Sequence, residues 1–157
     1  RGYFVQGIRA KLNSQKAKEV FEKKQHIFKT FEKGIKNKRN SIRSSLLSYL
    51  FSGTRLLKRL DMIQTCNMAF FKNDCIRVNG FNEDFIGWGR EDSEFVQRLI
   101  NYGLFKKHLK FSGIQFHLFH NERVINSQGS AKANDYFIED AIKNNLVWCT
   151  NGIDHYL

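Results

Sequence analysis

Between Asn79 and Gly103 the sequence prescribes a turn, a second turn and a helix. Asn79-Gly80 closes the segment before it. Gly87 and Gly89 bracket Trp88, so the backbone can bend sharply on both sides of the indole and present its face. A helix is then predicted over Glu91–Tyr102. Phe95, Val96, Leu99 and Ile100 share one face, and Gly103 stands where a left-handed residue ends a helix. Glu91, Asp92 and Glu94 fall in its first turn, where the helix dipole favours ionised carboxylates by about 0.3–1 kcal/mol each.

Around this helix, strand-like and helix-like segments alternate. Tyr3-Phe4-Val5 opens a strand between Gly2 and Arg9, and Asn13-Ser14 caps a helix running to Lys33, with Gly34 as its stop. Lys36–Asn40 is a polar link before a second helix over Ser41–Phe51. Met62–Phe71 reads as a buried strand, Asn73–Val78 as one helical turn, Lys110–Phe119 as an alternating strand. Asn134–Asn144 reads as a last helix, with Phe137, Ile138, Ala141 and Ile142 inward. The alternation predicts an α/β fold, a short mixed sheet with packed helices.

Length and composition narrow this further. The 157 residues suffice for one domain's core without a disulfide or metal staple, and 41% hydrophobic content excludes general disorder. No apolar run approaches the roughly 20 residues of a transmembrane helix. Cys66, Cys75 and Cys149 form no CxxC pair, which argues for buried, reduced thiols and a cytoplasmic protein rather than a disulfide framework or cysteine zinc site. Arg1–Gly7 has neither an initiating methionine nor the apolar core of a signal peptide, and reads as the interior of a longer chain.

The formal charge of +11 is concentrated. Lys11–Arg59 carries 14 Lys/Arg against 3 Asp/Glu, and the remainder is balanced. Such a block is a solvated basic face, a contact for an anionic membrane or a nucleic-acid surface. Phe21, Phe28 and Phe31 could stack on bases, yet their helical spacing with Val20 and Ile27 also fits packing. Leu46-Leu47-Ser48-Tyr49-Leu50-Phe51, flanked by Arg and Lys, suits a helix lying in a membrane interface.

Two features carry chemistry. An ionised carboxylate beside an aromatic platform can orient and deprotonate a bound hydroxyl, which singles out Asp92 and Glu91 beside Trp88; acidic capping accounts for the same residues structurally. His117 and His120 stand three apart. On a regular strand they face opposite sides, so both reach one metal only where the strand ends or kinks.

Asn79-Gly80-Phe81 through Gly87-Trp88-Gly89-Arg90-Glu91-Asp92 closely resembles the C-terminal half of family 2 glycosyltransferases with the GT-A fold, and the related galactosyltransferase C-terminal region with its NGF…GWGxED signature. Phe4–Arg9, Cys66-Asn67-Met68-Ala69-Phe70 and the histidine pair agree with it. The resemblance spans residues 1–9 and roughly 63–122 and leaves the basic segment 10–60 aside. It implies that Asp92 is the catalytic base, with Glu91 shaping the acceptor pocket. Trp88, Gly87, Gly89, Asn67 and Arg9 would bind substrate, Asn67 from a strand on the pocket floor. His120 would ligate Mn²⁺ or Mg²⁺, with His117 as a second ligand.

The reaction implied is inverting transfer from a nucleotide-sugar donor to a glycan or lipid-linked acceptor, in cell-surface polysaccharide synthesis at the cytoplasmic membrane face. No D-x-D occurs here, so the whole chain is expected to be one C-terminal portion, with a basic helical segment at 10–60, a catalytic and acceptor core at 61–125 and a helix and tail at 126–157. The nucleotide-binding half with the D-x-D motif would lie outside this chain, leaving the isolated portion inactive and its cut face available to a second copy. Arg90 replaces a glycine common among relatives and is read as pointing to solvent. The rival reading is a non-catalytic basic module that binds nucleic acid or membrane, which leaves Gly87–Asp92 unexplained.

Overall fold

The computed structural model describes residues 2–24, 27–52, 56–57, 60, 63–87, 89–121 and 127–157. The strands are β1 (Tyr3–Gln6), β2 (Ile8–Lys11), β3 (Leu56–Leu57), β4 (Met68–Ala69), β5 (Phe105–His108) and β6 (Ile114–His117). The helices are α1 (Ser14–Lys23), α2 (Ser45–Ser52), α3 (Lys72–Arg77), α4 (Glu91–Asn101) and α5 (Ser127–Lys143), with 3₁₀ turns at Lys38–Ser41, Thr65–Asn67 and Ile153–Tyr156. One four-stranded sheet runs β3-β5-β1-β4, and β2 pairs with β6 in a second sheet. The expected α/β class with a small sheet and packed helices is what the chain forms.

The chain divides into two compact units. Unit one comprises residues 1–5, 56–106 and 124–157. Its core is Phe4 of β1 and Val78 packed with Phe95, Val96, Leu99, Ile100 and Leu104. Those α4 residues are the apolar face that the helical period predicts, and Gly103 ends the helix at φ +108° as expected. Phe81 stacks on Phe95 with centroids 4.3 Å apart, so the Asn79-Gly80-Phe81 turn belongs to this core.

Arg98 is fully buried in the same layer. It is neutralised by Glu94 one turn earlier, at 2.6 Å and 2.9 Å, and two further N–H groups donate to the carbonyls of Val78 and of Gly80, the latter at 2.7 Å. A buried guanidinium is tolerable only when its charge and donors are met in this way.

Asn79 anchors the final residues to the same turn. Its Nδ2 donates to the Cys149 carbonyl and to Asp154 Oδ1, each at 2.8 Å, while its Oδ1 accepts from Asp154 N–H at 2.8 Å. Gly80 and Gly152 let the two strands of this contact approach. A Cβ on Gly80 would fall 2.4 Å from Ile153 Cγ2, and one on Gly152 would fall 2.0 Å from the Asn79 carbonyl oxygen.

Unit two comprises residues 6–55 and 107–123. β2 and β6 pair in parallel, Ile8 opposite Ile114 and Lys11 opposite His117. Ala10, Leu12 and Ile35 form its core with Val20, Phe28, Ile114, Phe116 and Leu118 beside them.

Several expected elements are corrected. The Asn13 cap is present, its Oδ1 accepting from Lys16 N–H at 2.8 Å, but α1 ends at Lys23 with Lys24 left-handed instead of reaching Lys33. The reason is the buried Lys16, which pairs with Glu32 at 2.6 Å. Sixteen residues of continuous helix would hold those two about 24 Å apart, so the chain folds back instead. The second helix begins at Ser45, after the Lys38–Ser41 turn. Of the expected strand Met62–Phe71, Met62 lies outside the described residues; Thr65–Asn67 is a 3₁₀ turn and only Met68–Ala69 is strand. β5 was not anticipated, and α5 is longer at its start than the expected last helix. No disulfide joins the three cysteines; Cys149 is buried, Cys75 half-buried and Cys66 exposed, so the expected burial fails at Cys66.

Candidate functional site

The α4 N-terminus and the loop before it hold the first group of side chains that the sequence singles out. Asn79-Gly80 closes α3, and the chain runs out through Phe85 and Ile86 to Gly87, where φ is +81°. Gly89 (φ +110°) and Arg90 (φ +77°) continue in the left-handed half of backbone space, and α4 begins at Glu91. Trp88 lies outside the described residues.

Three contacts fix this loop. Glu91 Oε2 accepts from Gly89 N–H at 2.8 Å, tying the helix start back onto the bend. Asn134 of α5 is 2% exposed and donates from one Nδ2 to the Ile86 carbonyl at 3.2 Å and the Gly89 carbonyl at 3.1 Å. Arg90 does not point free to solvent, as the sequence suggested: its Nε meets Asp135 Oδ1 at 2.7 Å, although the side chain is 54% exposed. The carbonyls on either side of Gly87 and Trp88 are therefore gripped by one buried amide.

Asp92 stands in the first turn of α4 with both carboxylate oxygens engaged. Oδ2 accepts from Thr65 N–H at 3.0 Å, and Oδ1 accepts from the Thr65 hydroxyl. An ionised carboxylate offers about four acceptor positions, so a further donor can still reach it. These bonds hold the carboxylate in one rotamer. They also explain Asn67, which lies in the Thr65–Asn67 turn and not in the expected strand, because Thr65 spends its N–H and hydroxyl on Asp92 as the chain curls.

The second group is in unit two. β6 ends at His117, and Leu118, Phe119 and His120 continue beyond it, which meets the condition for the two imidazoles to converge. Their Nε2 atoms are 3.1 Å apart. Burial, then the charges of Arg9, His120 and Lys11, hold His117 below the usual imidazole range, which favours the neutral form that binds metals. Arg9 sits in β2 opposite Gln115, and its carbonyl accepts from Asn37 and Asn40 Nδ2 at 2.7 Å and 2.8 Å.

The two imidazoles suit one cation: nitrogens bound at about 2.0–2.1 Å on adjacent positions are roughly 3 Å apart. Among the described residues no group of three or more His, Cys, Asp or Glu side chains could hold a metal, so the pair is at most half a ligand set.

The sequence-predicted residues thus fall into two local groups. Glu91, Asp92, Gly87, Gly89 and Asn67 belong to unit one; His117, His120 and Arg9 belong to unit two. Sequence reasoning missed Thr65 and Asn134, since a lone threonine and a helical asparagine carry no spacing signal. Arg98 was missed as well, although its position four residues after Glu94 on the α4 helix is a spacing signal that could have found the pair.

Residues 50–121 match the family described as the N-terminal domain of galactosyltransferase, a little under half of the chain. This stretch is galactosyltransferase-like. It contains Asp92, the Gly87–Gly89 bend and both histidines, and the likeness supports glycosyltransferase activity in general, with a nucleotide-sugar donor and an acceptor. Neither the curated proteins nor the solved structures give a match to this chain. No helix among the described residues is long and apolar enough to cross a membrane.

Proposed function

We propose that this chain carries the base- and acceptor-bearing part of an inverting glycosyltransferase of the GT-A type, acting on a glycan or lipid-linked acceptor in cell-surface polysaccharide synthesis. The observation that carries the reading is Asp92, held by Thr65 beside the Asn134-clamped bend, inside the galactosyltransferase-like stretch.

Asp92 acts as general base. Thr65 fixes its carboxylate, and a remaining lone pair accepts the proton of the acceptor hydroxyl as that oxygen attacks the anomeric carbon in line. Glu91 closes the bend onto the helix and shapes the acceptor side, and Trp88 offers the sugar an apolar face. Gly87 and Gly89 supply the backbone turns that present it, and Asn67 lines the floor next to Thr65. Asn134 resists collapse of the loop by holding both flanking carbonyls.

His120 and His117 would hold a divalent cation such as Mn²⁺ or Mg²⁺, whose charge, when bound, offsets that developing on the departing nucleotide diphosphate. Arg9 and Lys11 act electrostatically on His117 and repel a cation there, so carboxylates have to complete the set. A D-x-D motif outside this chain would supply them. Arg9 would meet substrate phosphate.

Asp92→Asn in the intact enzyme tests the assignment. It removes the base, while the amide oxygen can still accept from Thr65 N–H and the NH₂ can donate to the Thr65 hydroxyl oxygen, so turnover should fall by about 10²–10⁴ with donor binding retained. Wild-type turnover in that variant would overturn it.

A further inference from the structure

We propose that unit two docks on an anionic lipid surface through the outward face of α2, with Leu46 and Tyr49 entering the headgroup layer and Lys38, Arg39, Arg43 and Lys110 meeting its charge.

α2 is built inside out. Ser44 caps it, accepting from Leu47 N–H at 3.2 Å, and its own N–H donates to the Phe111 carbonyl at 3.1 Å. One turn on, Ser48 Oγ donates to Ser112 Oγ at 2.8 Å; one turn further, Ser52 Oγ donates to the Lys110 carbonyl at 2.8 Å. The serines, spaced four apart, therefore face the protein. Leu46 and Tyr49, three apart on the other side, are 68% and 73% exposed, and Leu50 beside them is half exposed. A helix that turns Ser48 and Ser52 onto the protein and displays aliphatic and aromatic groups has its apolar stripe turned away from its own core, the reverse of a surface helix in a globular protein.

Charge selects the occupant. Unit two holds 16 Lys/Arg against 4 Asp/Glu, whereas unit one holds 10 against 11. No Asp or Glu occurs between Glu32 and Asp61, nor from Lys107 to Asn121, the stretch that contains the turn beneath α2. Lys38, Arg39 and Arg43 are exposed just ahead of the helix, and Lys110 is exposed at its far end. A second copy would bring the same excess of positive charge to the contact. Nucleic acid would meet the charge but leave the leucine and tyrosine without an apolar partner. An interface of anionic headgroups over acyl chains meets both.

The test is co-sedimentation of the 157-residue chain with vesicles of phosphatidylcholine alone or mixed with phosphatidylserine, at low and high salt. Binding is expected to the mixed vesicles and to be reversed by salt. Leu46→Ser with Tyr49→Ser should weaken it at least tenfold, and Lys38→Gln, Arg39→Gln and Arg43→Gln together about a hundredfold. These side chains are exposed, and an unchanged circular dichroism spectrum confirms that each variant is folded. Absence of binding, equal binding to neutral vesicles, or unchanged affinity in the folded Leu46/Tyr49 variant would overturn the proposal. So would tight binding to duplex DNA with none to mixed vesicles, or dimerisation that the Leu46/Tyr49 variant abolishes.

Discussion

Arg98 reaches Glu94 at 2.6 Å and, with the same guanidinium, holds the carbonyl of Gly80 at 2.7 Å, so the α4 helix and the Asn79-Gly80 turn are joined through one buried cation. The turn that the sequence motif advertises is thereby a structural hub, and the carboxylate two residues before Glu94, Asp92, inherits its position from it.

Removing that cation strands the Glu94 charge and leaves two carbonyls without their donor. Arg98→Ala should cost about 3–5 kcal/mol, the usual result of breaking a buried pair from one side. In a chain of this size that lowers Tm by roughly 6–20 °C. The double variant Arg98→Met with Glu94→Leu should recover part of the loss, because no charge is then left buried. Calorimetry on the three proteins decides the matter.

Acid should release the last residues. The Asn79 side-chain hydrogen bond, first among its causes, holds the Asp154 carboxyl below the ordinary aspartate range. A depressed carboxyl stabilises docking above its unfolded value of about 3.9 and withdraws that stabilisation as pH falls through the lower folded value. Amide exchange at Ile153 and Asp154 should therefore accelerate below about pH 4. Asp154→Asn keeps an acceptor for Asn79 and should remove this acid response.

Asn134→Ala should loosen the bend before α4 without unfolding the protein. Two partly exposed carbonyls lose one shared donor, a cost of about 0.5–1.5 kcal/mol. The local signature is faster amide exchange across residues 86–90, with the α4 amides still protected. Uniform protection throughout would mean that Glu91 and the Arg90–Asp135 pair hold the bend without Asn134.

Two glycines should respond differently to alanine. At Gly152 a Cβ would lie 2.0 Å from the Asn79 carbonyl oxygen, so Gly152→Ala should displace the final residues and cost about 1–3 kcal/mol. At Gly89 nothing lies within 4 Å of a Cβ, and the penalty arises only from φ +110°. Its cost should be similar, about 1–3 kcal/mol, but without exposing the Ile153 amide. Exchange at that amide separates the two.

Legibility followed locality. α4 was readable because its apolar period, its acidic first turn and Gly103 agree, and all three signals lie within thirteen residues of Glu91. The α1 terminus was not, because the Lys16–Glu32 pair that ends it acts through space between residues whose spacing fits a continuous helix equally well. The Met62–Phe71 segment misled for a similar reason. Its apolar content fits a strand, but Thr65 turns to bind Asp92, and that partner lies 27 residues further on. The histidine convergence was readable as a condition, that the strand end there, and the end of β6 at His117 supplies it.

The docking of Cys149–Asp154 onto Asn79 has a consequence in time. Unit one draws on the beginning, middle and end of the sequence, and unit two is threaded between those pieces. Every residue of unit two is synthesised before the Asn79-Gly80 hub receives its Cys149 and Asp154 partners. Val78 and Cys149 meet across 71 positions, and until Asp154 emerges the Asn79 amide has no carboxylate to close on. Unit one therefore cannot complete its contacts until residues 149–154 are made, after the whole of unit two.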